Sequence, residues 1–368
     1  MKKIKLIVKT TSKKYSINIG LNIIKKISNI IKSNKINFEK CIIIVDKKVP
    51  KNKLLDLKNN LLCKKKIIHF FSPSEKNKNQ KNVNIILNKL FKNNFNRNDC
   101  VISLGGGITG DVASFAASTF KRGIKFINIP TTLLAQVDSS IGGKTGINNK
   151  YGKNLIGTFF QPDLVVADTS FLRSLPRREI VCGYAEIFKH SLIAGKKYFS
   201  YIEKNKFKIL KLKSPYIEKA IAGSCKIKKN IIEIDEKEKK IRKLLNLGHT
   251  FAHAYEAETG YSKKLNHGEA VILGINSAAK FSLSAKLLTK KKYLKIISHI
   301  NDLNLPNNIK TFFGKKNISS ILKFMKSDKK NNSNKINLIL LKDIGKPIYN
   351  LNFKIEKIKN FFYKELFN

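Results

Sequence analysis

Acidic residues are scarce in this chain. Its 368 residues hold 25 Asp and Glu against 73 Lys and Arg, a formal net charge of +48. A nucleic-acid binder can carry such a charge, but it shows its basic residues as a patch or within a recognisable motif. Here the excess is mostly lysine, spread along the chain and interleaved with asparagine, as in KNKNQKN at 76–82. No zinc-finger spacing, helix-turn-helix signature or aromatic-and-basic RNA motif accompanies it. Net charge of this kind speaks to non-specific attraction rather than to fold, so no specific nucleic-acid partner is expected, while an anionic small substrate would be drawn in. The cysteines, Cys41, Cys63, Cys100, Cys182 and Cys225, are odd in number and form no C-x-x-C pair. That argues against a disulfide framework and for a reducing cytoplasm. No run of ~20 apolar residues exists to cross a membrane. The apolar stretch at 4–8 is interrupted by Lys5 and is too short for a signal peptide.

What is present is an ordinary 42% of hydrophobic residues, in a length that suits about two domains. Strands are expected over 5–9, 15–19, 41–45, 67–71, 100–104 and 126–129, and helices over 21–32, 83–91 and 111–120. The β-branched run CIIIV at 41–45 has the look of a parallel strand buried on both faces. Strands alternating with helices imply an α/β domain with a parallel sheet, with ligands at the carboxyl ends of its strands. After about residue 174 the pattern changes to long apolar-periodic segments at 179–194, 217–233, 248–259 and 268–288. The expected division is an α/β domain over 1–175 and a mainly α-helical domain over 176–368, with a polar loop at 328–334.

Three stretches carry chemistry. GGGITGD at 105–111 follows a strand and opens a helix, and it satisfies G-x-G-x-x-G through Gly105, Gly107 and Gly110. Glycines there let a backbone approach a pyrophosphate at a helix N-terminus. The motif lies about 100 residues into the chain, and no acid ends a strand ~20 residues later, so a purely structural glycine turn is the competing reading. The second stretch, IPTTLLAQVDSSIGGKT at 129–145, crowds hydroxyls, Asp138, two glycines and Lys144 together. It reads as a polar site rather than a packed element, and Lys153 and Asn154 add a cation and an amide suited to an anionic or hydroxylated substrate.

The third comprises possible metal ligands in the helical half: Glu186 in CGYAEIFKH, His249 in NLGHT and His267 in NHGEA. Two imidazoles and a carboxylate leave one coordination position open, as a catalytic zinc needs. His249 and His253 also stand at i,i+4 and could themselves form a pair on one helix face, although no glutamate follows the first histidine as in the metalloprotease motif.

The blocks GGGITGD, KRGIKFINIPTTLLAQVDSSIGGKTGIN, GKNLIGTFFQP, FLRSLPRREI, CGYAEIFKH, LLNLGHTFAHAYEAETGY and NHGEAVILGI span residues 105–276. Together they make the sequence resemble the dehydroquinate synthase family, with weaker similarity towards both ends, including DKK at 328–330. The resemblance implies an α/β NAD-binding domain, a helical metal-binding domain and a lyase acting on 3-deoxy-D-arabino-heptulosonate 7-phosphate in the shikimate pathway. It implies Zn²⁺, or Co²⁺, on Glu186, His249 and His267, with His253 helping to hold the substrate's phosphate. It implies a substrate pocket lined by Asp138, Lys144, Lys153, Asn154, Lys189, Lys228, Arg242, Asn246 and His253. Arg122 would reach the pocket of a neighbouring subunit, making a homodimer. NAD would lie on Glu75, Lys78, Gly107, Ile108, Thr109, Gly110, Asp111, Thr131 and Thr132, and on Phe171, Leu172, Arg173 and Ser174, with Asp138, Lys144 and Lys153 nearby. Ser74 stands where the family often has glycine. The alternatives are a sister sugar-phosphate cyclase, a metal-dependent glycerol-type dehydrogenase, or a basic nucleic-acid binder that has lost catalysis.

Overall fold

The computed structural model describes residues 3–327 and 335–367; the loop expected at 328–334 lies outside them. The chain forms two compact units, one of Met1–Gly183 with Leu212–Lys237, the other of Tyr184–Lys211 with Glu238–Asn368.

The first unit begins with β1 (Ile4–Lys9), β2 (Lys14–Gly20), α1 (Ile27–Ser33), β3 (Lys40–Asp46), α2 (Lys51–Asn60) and β4 (Lys65–Phe71). It continues with α3 (Gln80–Lys92), β5 (Cys100–Gly105), α4 (Gly107–Thr119), β6 (Lys125–Pro130), β7 (Ile147–Asn149), β8 (Gly152–Ile156) and β9 (Leu164–Asp168). The sheet order is β1-β2-β9-β6-β5-β3-β4. All neighbours run parallel except β1, which pairs antiparallel with β2 at the edge. Period-two alternation sends Cys41, Ile43 and Val45 into one core with α1 and α2, and Ile42 and Ile44 into the other with α3 and α4. No strand is expected over 164–168 from the pattern above, yet β9 is there, wholly buried between β2 and β6. The β7–β8 hairpin forms a separate small sheet.

α5 (Arg177–Ala194) leaves the first unit between Gly183 and Tyr184. Its first turns stay there because a Cβ on Gly183 would come within 2.5 Å of Leu133. α6 (Lys196–Leu210) belongs to the second unit, but α7 (Tyr216–Ile234) returns to pack on β1 and β2. The units therefore differ from a single division at 175/176, because a helix late in the chain covers a sheet formed early.

The second unit adds α8 (His249–Glu258), α9 (His267–Ser284), α10 (Lys290–Asp302) and α11 (Ile318–Ser327). It ends with β10 (Lys335–Asp343), β11 (Lys346–Lys354) and α12 (Ile355–Phe367). It is mainly helical, with an antiparallel β10–β11 hairpin that the helical expectation omitted. β10 packs against α9 and buries Ile336, Leu338, Leu340 and Leu341. Phe251, Tyr255, Phe281, Phe361 and Phe362 form an aromatic core between α8, α9 and α12. Among the described residues no helix is long and apolar enough to cross a membrane.

Candidate active site

In the first unit the glycine turn joins β5 to α4. The first amides of α4 have no intrahelical acceptors. Part of the glycine requirement is internal: a Cβ on Gly105 would meet Thr109 at 2.7 Å and Asp46 at 2.9 Å, and one on Gly107 would meet Ser139 Oγ at 2.9 Å. Both readings of the motif thus hold at once, since close packing and an open helix N-terminus use the same residues. Thr109 Oγ1 and Ser139 Oγ are buried polar atoms with no hydrogen-bond partner among the described residues. With the bare helix start, they fit an anionic, oxygen-rich group such as a dinucleotide. Thr131 donates its N–H to Gly105 O at 2.9 Å, which ties it to the glycine turn, while Thr132 Oγ1 accepts from Ala135 N at 3.2 Å within the segment that follows. Ile108 packs against the core beneath.

Around this turn the 74–78 loop and the β7–β8 hairpin interlock. Lys78 is buried, forms an ion pair with Asp111 on α4, and donates to Asn154 Oδ1 at 2.6 Å. Burial pushes the Asp111 carboxyl up, against the pull of the Lys78 ammonium. Glu75 accepts from Asn148 Nδ2 at 2.8 Å and lies 3.6 Å from Lys153 Nζ. Asn148 also accepts from Asn154 N at 2.9 Å and donates its own N–H to Lys78 O at 2.7 Å. Asn148 belongs to the GKTGIN block but has no distinguishing residue type or spacing, so only the fold marks it as the knot of this cluster.

Residues 129–145 are more packed than their polarity suggests. Residues Ala135–Ser139 form a single π-helical turn, with Gln136 fully buried and donating to Pro130 O at 3.1 Å and Asp168 O at 2.9 Å. Gly143 has φ +67°, and a Cβ there would fall 2.7 Å from Gln161. Here the reading of a polar site rather than a packed element is corrected: glycines and small hydroxyls let the turn be buried. Asp138, in this turn, meets Lys228 Nζ from α7 at 2.6 Å. Lys144 is exposed on the bridge to Phe159. Phe171 and Leu172 turn their side chains into the core, whereas Arg173 and Ser174 are exposed. Arg122 stands apart on an exposed turn with Lys121, both with positive φ (66° and 48°). Two consecutive left-handed non-glycine residues are a strained arrangement.

In the second unit Glu186, His249 and His267 converge. Glu186 Oε1 lies 3.6 Å from His249 Nε2 and 3.9 Å from His267 Nε2. These gaps are too long for hydrogen bonds, but ligands at ~2.0–2.2 Å around one tetrahedral ion sit roughly 3.3–3.5 Å apart. Glu186 is buried and its carboxylate forms a buried ion pair with Lys189, with no further hydrogen-bond donor on its oxygens among the described residues. A buried carboxylate, two imidazoles and no hydrogen bonds among them fit a divalent cation. Burial pushes His249 well down, helped by the Lys189 ammonium, which keeps its imidazole neutral as a ligand must be. His267 is held above its ordinary value despite burial, because Glu256 accepts from it.

The histidines are placed by local structure. Asn266 and Glu269 form a reciprocal capping box that starts α9 at His267. Gly248, φ +78°, caps α8 just before His249, and a Cβ on Gly274 of α9 would lie 2.3 Å from Gly248 O. This glycine pair brings the two histidine-bearing helix starts together. His253, one turn along α8, packs edge-on against His249 with ring centroids 5.3 Å apart; it is not in the converging set. Arg242 is buried, and Asn246 donates to Glu238 at 2.7 Å, both on the 3-10 turn Ile241–Asn246. Glu256 was absent from the sequence-based candidates. Its signal was its place seven residues after His249 on the same helix face.

The family model for the 3-dehydroquinate synthase N-terminal domain matches residues 68–182, and that for its C-terminal domain matches 183–331. A 3-dehydroquinate synthase from Pelagibacter ubique is 61% identical over 363 residues, covering 99% of each chain. One from Bartonella tribocorum is 39% identical over 362 residues, covering 96% of this chain and 95% of that one. A crystal structure of 2-deoxy-scyllo-inosose synthase, complexed with carbaglucose-6-phosphate, NAD+ and Co2+, matches with TM-score 0.86 at 25% identity over 99% of this chain and 100% of that one. From these matches and the two sites, this chain belongs to the 3-dehydroquinate synthase family.

Proposed function

We propose that the chain converts 3-deoxy-D-arabino-heptulosonate 7-phosphate to 3-dehydroquinate and phosphate, with Glu186, His249 and His267 holding a divalent cation and the α4 glycine turn holding NAD. The observation that carries this reading is the convergence of His249 and His267 on the buried Glu186 carboxylate.

When bound, NAD would supply reversible hydride chemistry at the substrate's C5, and a Zn²⁺ or Co²⁺ on Glu186, His249 and His267 would supply Lewis-acid polarisation of the C5 hydroxyl. The chain's residues supply the rest. The α4 amides, with Thr131, Thr132 and the backbone at Phe171, Leu172, Arg173 and Ser174, seat the dinucleotide. Glu75, Lys78 and Asp111 hold its other end through the Asn148 network. Lys144, Lys153, Lys189, Lys228 and Arg242 set cations against carboxylate and phosphate. Asn154, Asn246 and His253 add donors that orient the sugar. Asp138 holds Lys228 in place through its carboxylate and its carbonyl. The carboxylates we assign to these sites are all committed to a cation, a lysine or the cation pocket, so the proton at C6 is best taken by the departing phosphate itself.

We assign Arg122, exposed on its strained turn, to a neighbouring subunit's pocket in a homodimer. The cytoplasm is the assigned compartment, the usual one for a biosynthetic enzyme of this kind. The sister cyclases share the architecture, but identity to the synthases is far higher than to 2-deoxy-scyllo-inosose synthase.

The test is phosphate release from the heptulosonate phosphate with and without NAD, using substrate deuterated at C5. Phosphate should exceed enzyme many-fold, NADH absorbance should stay near zero in steady state, and the product should retain the deuterium. Stoichiometric NADH without phosphate would identify a dehydrogenase instead. Faster release from a sugar phosphate lacking the carboxylate would move the chain to the sister cyclases.

A further inference from the structure

Four of the five cysteines are buried; Cys63 alone is half-exposed. It lies in the loop between α2 and β4. Cys41 is the second residue of β3, in register with Lys66 of β4 and Cys100 of β5. The Cys41 and Cys63 sulfurs are 3.5 Å apart, and Cys63 Sγ also lies 3.6 Å from Lys65 O. A disulfide needs sulfurs ~2.05 Å apart, so about 1.5 Å of closure separates this pair from a bond. A half-exposed loop residue can supply that movement, and the buried strand residue supplies a fixed partner.

We propose that Cys63 is an oxidation site, resolved by Cys41 into a reversible intramolecular disulfide when the chain meets a peroxide. The contact with Cys41 lowers the Cys63 thiol, and the Lys66 ammonium adds to this against burial. Its thiolate is therefore the one that an external oxidant reaches. The steps balance. The Cys63 thiolate takes one oxygen from the peroxide, becoming a sulfenic acid and releasing hydroxide, which is protonated to water. Cys41 then attacks the Cys63 sulfur, its proton passing to the hydroxide that leaves Cys63, so that a second water is released. Two thiols are oxidised by two electrons and one peroxide is reduced. A dithiol reverses the bond by exchange.

The pair sits where β3 and β4 begin, the end of the sheet at which β5 also begins, and the glycine turn follows the opposite end of β5. Cross-linking should therefore leave phosphate release unchanged. It ties residues 22 apart in sequence and restricts the unfolded chain, so it should raise the unfolding temperature by a few degrees.

The experiment treats the full-length enzyme with a few equivalents of hydrogen peroxide, blocks remaining thiols with an alkylating agent, and maps peptides by mass spectrometry. The expected result is one linked Cys41–Cys63 peptide pair, lost on dithiothreitol treatment, with a raised melting temperature in the cross-linked form. In Cys41→Ala, Cys63 loses the contact that lowers its thiol, so it should oxidise more slowly, and the reaction should stop at a sulfenic acid on Cys63 that dimedone traps. In Cys63→Ser, Cys41 should stay reduced and alkylatable after denaturation. Linkage of any other pair, over-oxidation of Cys63 with Cys41 still free in the wild type, or no reaction at Cys63 would each overturn the proposal. The wild-type map decides even if the buried Cys41→Ala variant fails to fold.

Discussion

His267 Nδ1 lies 3.2 Å from Glu256 Oε2, so the ring's other nitrogen, Nε2, is the one turned towards Glu186. A histidine ligand whose second nitrogen is held by a carboxylate has its tautomer and orientation set before the metal arrives. Glu256→Gln should weaken metal affinity by about 10-fold and Glu256→Ala by up to ~100-fold, measured by competition with a chromophoric chelator. His249→Ala and His267→Ala should lose the metal outright. His253→Ala should keep it and lose turnover. Metal lost from His253→Ala but retained by His267→Ala would show the i,i+4 pair to be the ligand set.

Gly274 and Gly248 form the contact that brings the starts of α8 and α9 together. A Cβ at Gly274 would sit 2.3 Å from Gly248 O, where backbone on both sides leaves nothing flexible to yield. Gly274→Ala should destabilise the protein by about 1–3 kcal/mol or more and weaken metal binding with it. Thermal unfolding and chelator competition, run on the same variant, should move together. A variant as stable as the wild type that binds metal as tightly would show that the helices are not locked by this pair.

Glu236 makes the fold sensitive to acid. Burial alone would raise its carboxyl, but Ser12 and Thr11 hydroxyls, Gln161 and the Ser12 N–H hold it at about 2, against an ordinary 4.5. A carboxylate depressed by folding contributes stability that is whole above the unfolded value and is lost as pH falls towards the folded one. The melting temperature should therefore drop between about pH 4.5 and about pH 2. Glu236→Gln should start lower and show a shallower decline across that window. An unchanged slope would assign the acid sensitivity to other carboxylates, such as Glu203, also held at about 2 through His299 and Lys206 against burial.

Arg122 can be placed by complementation. Arg122→Ala and Lys189→Ala should each be inactive alone. Mixed and allowed to exchange subunits, they should regain part of the activity, because a heterodimer contains one pocket with both residues intact. No recovery after confirmed exchange would put Arg122 in its own chain's pocket or in none.

By itself the sequence determined the class of fold and the chemistry on offer. Residues 41–45 read as a buried strand, because an unbroken β-branched apolar run bounded by polar residues has no polar face to show water. Gly-rich 105–111 had to be a tight turn into a helix, and Glu186, His249 and His267 carried ligand atoms wherever they lay. The tertiary structure decided the rest, since it depends on contacts between residues distant in sequence. β9 is a strand because β2 and β6 flank it on both sides. α7 joins the first unit because β1 and β2 offer it a surface. The β10–β11 hairpin forms because its apolar face is buried beside α9. Which of His253 and His267 lies beside Glu186 and His249 was equally out of reach of spacing. It rests on α8 and α9 meeting at Gly248 and Gly274, a contact between positions 26 residues apart in the chain. Glu256 and Asn148 acquire their importance only there, because a carboxylate or an amide becomes a positioning group when folding puts a ligand or a loop within 3 Å or so of it.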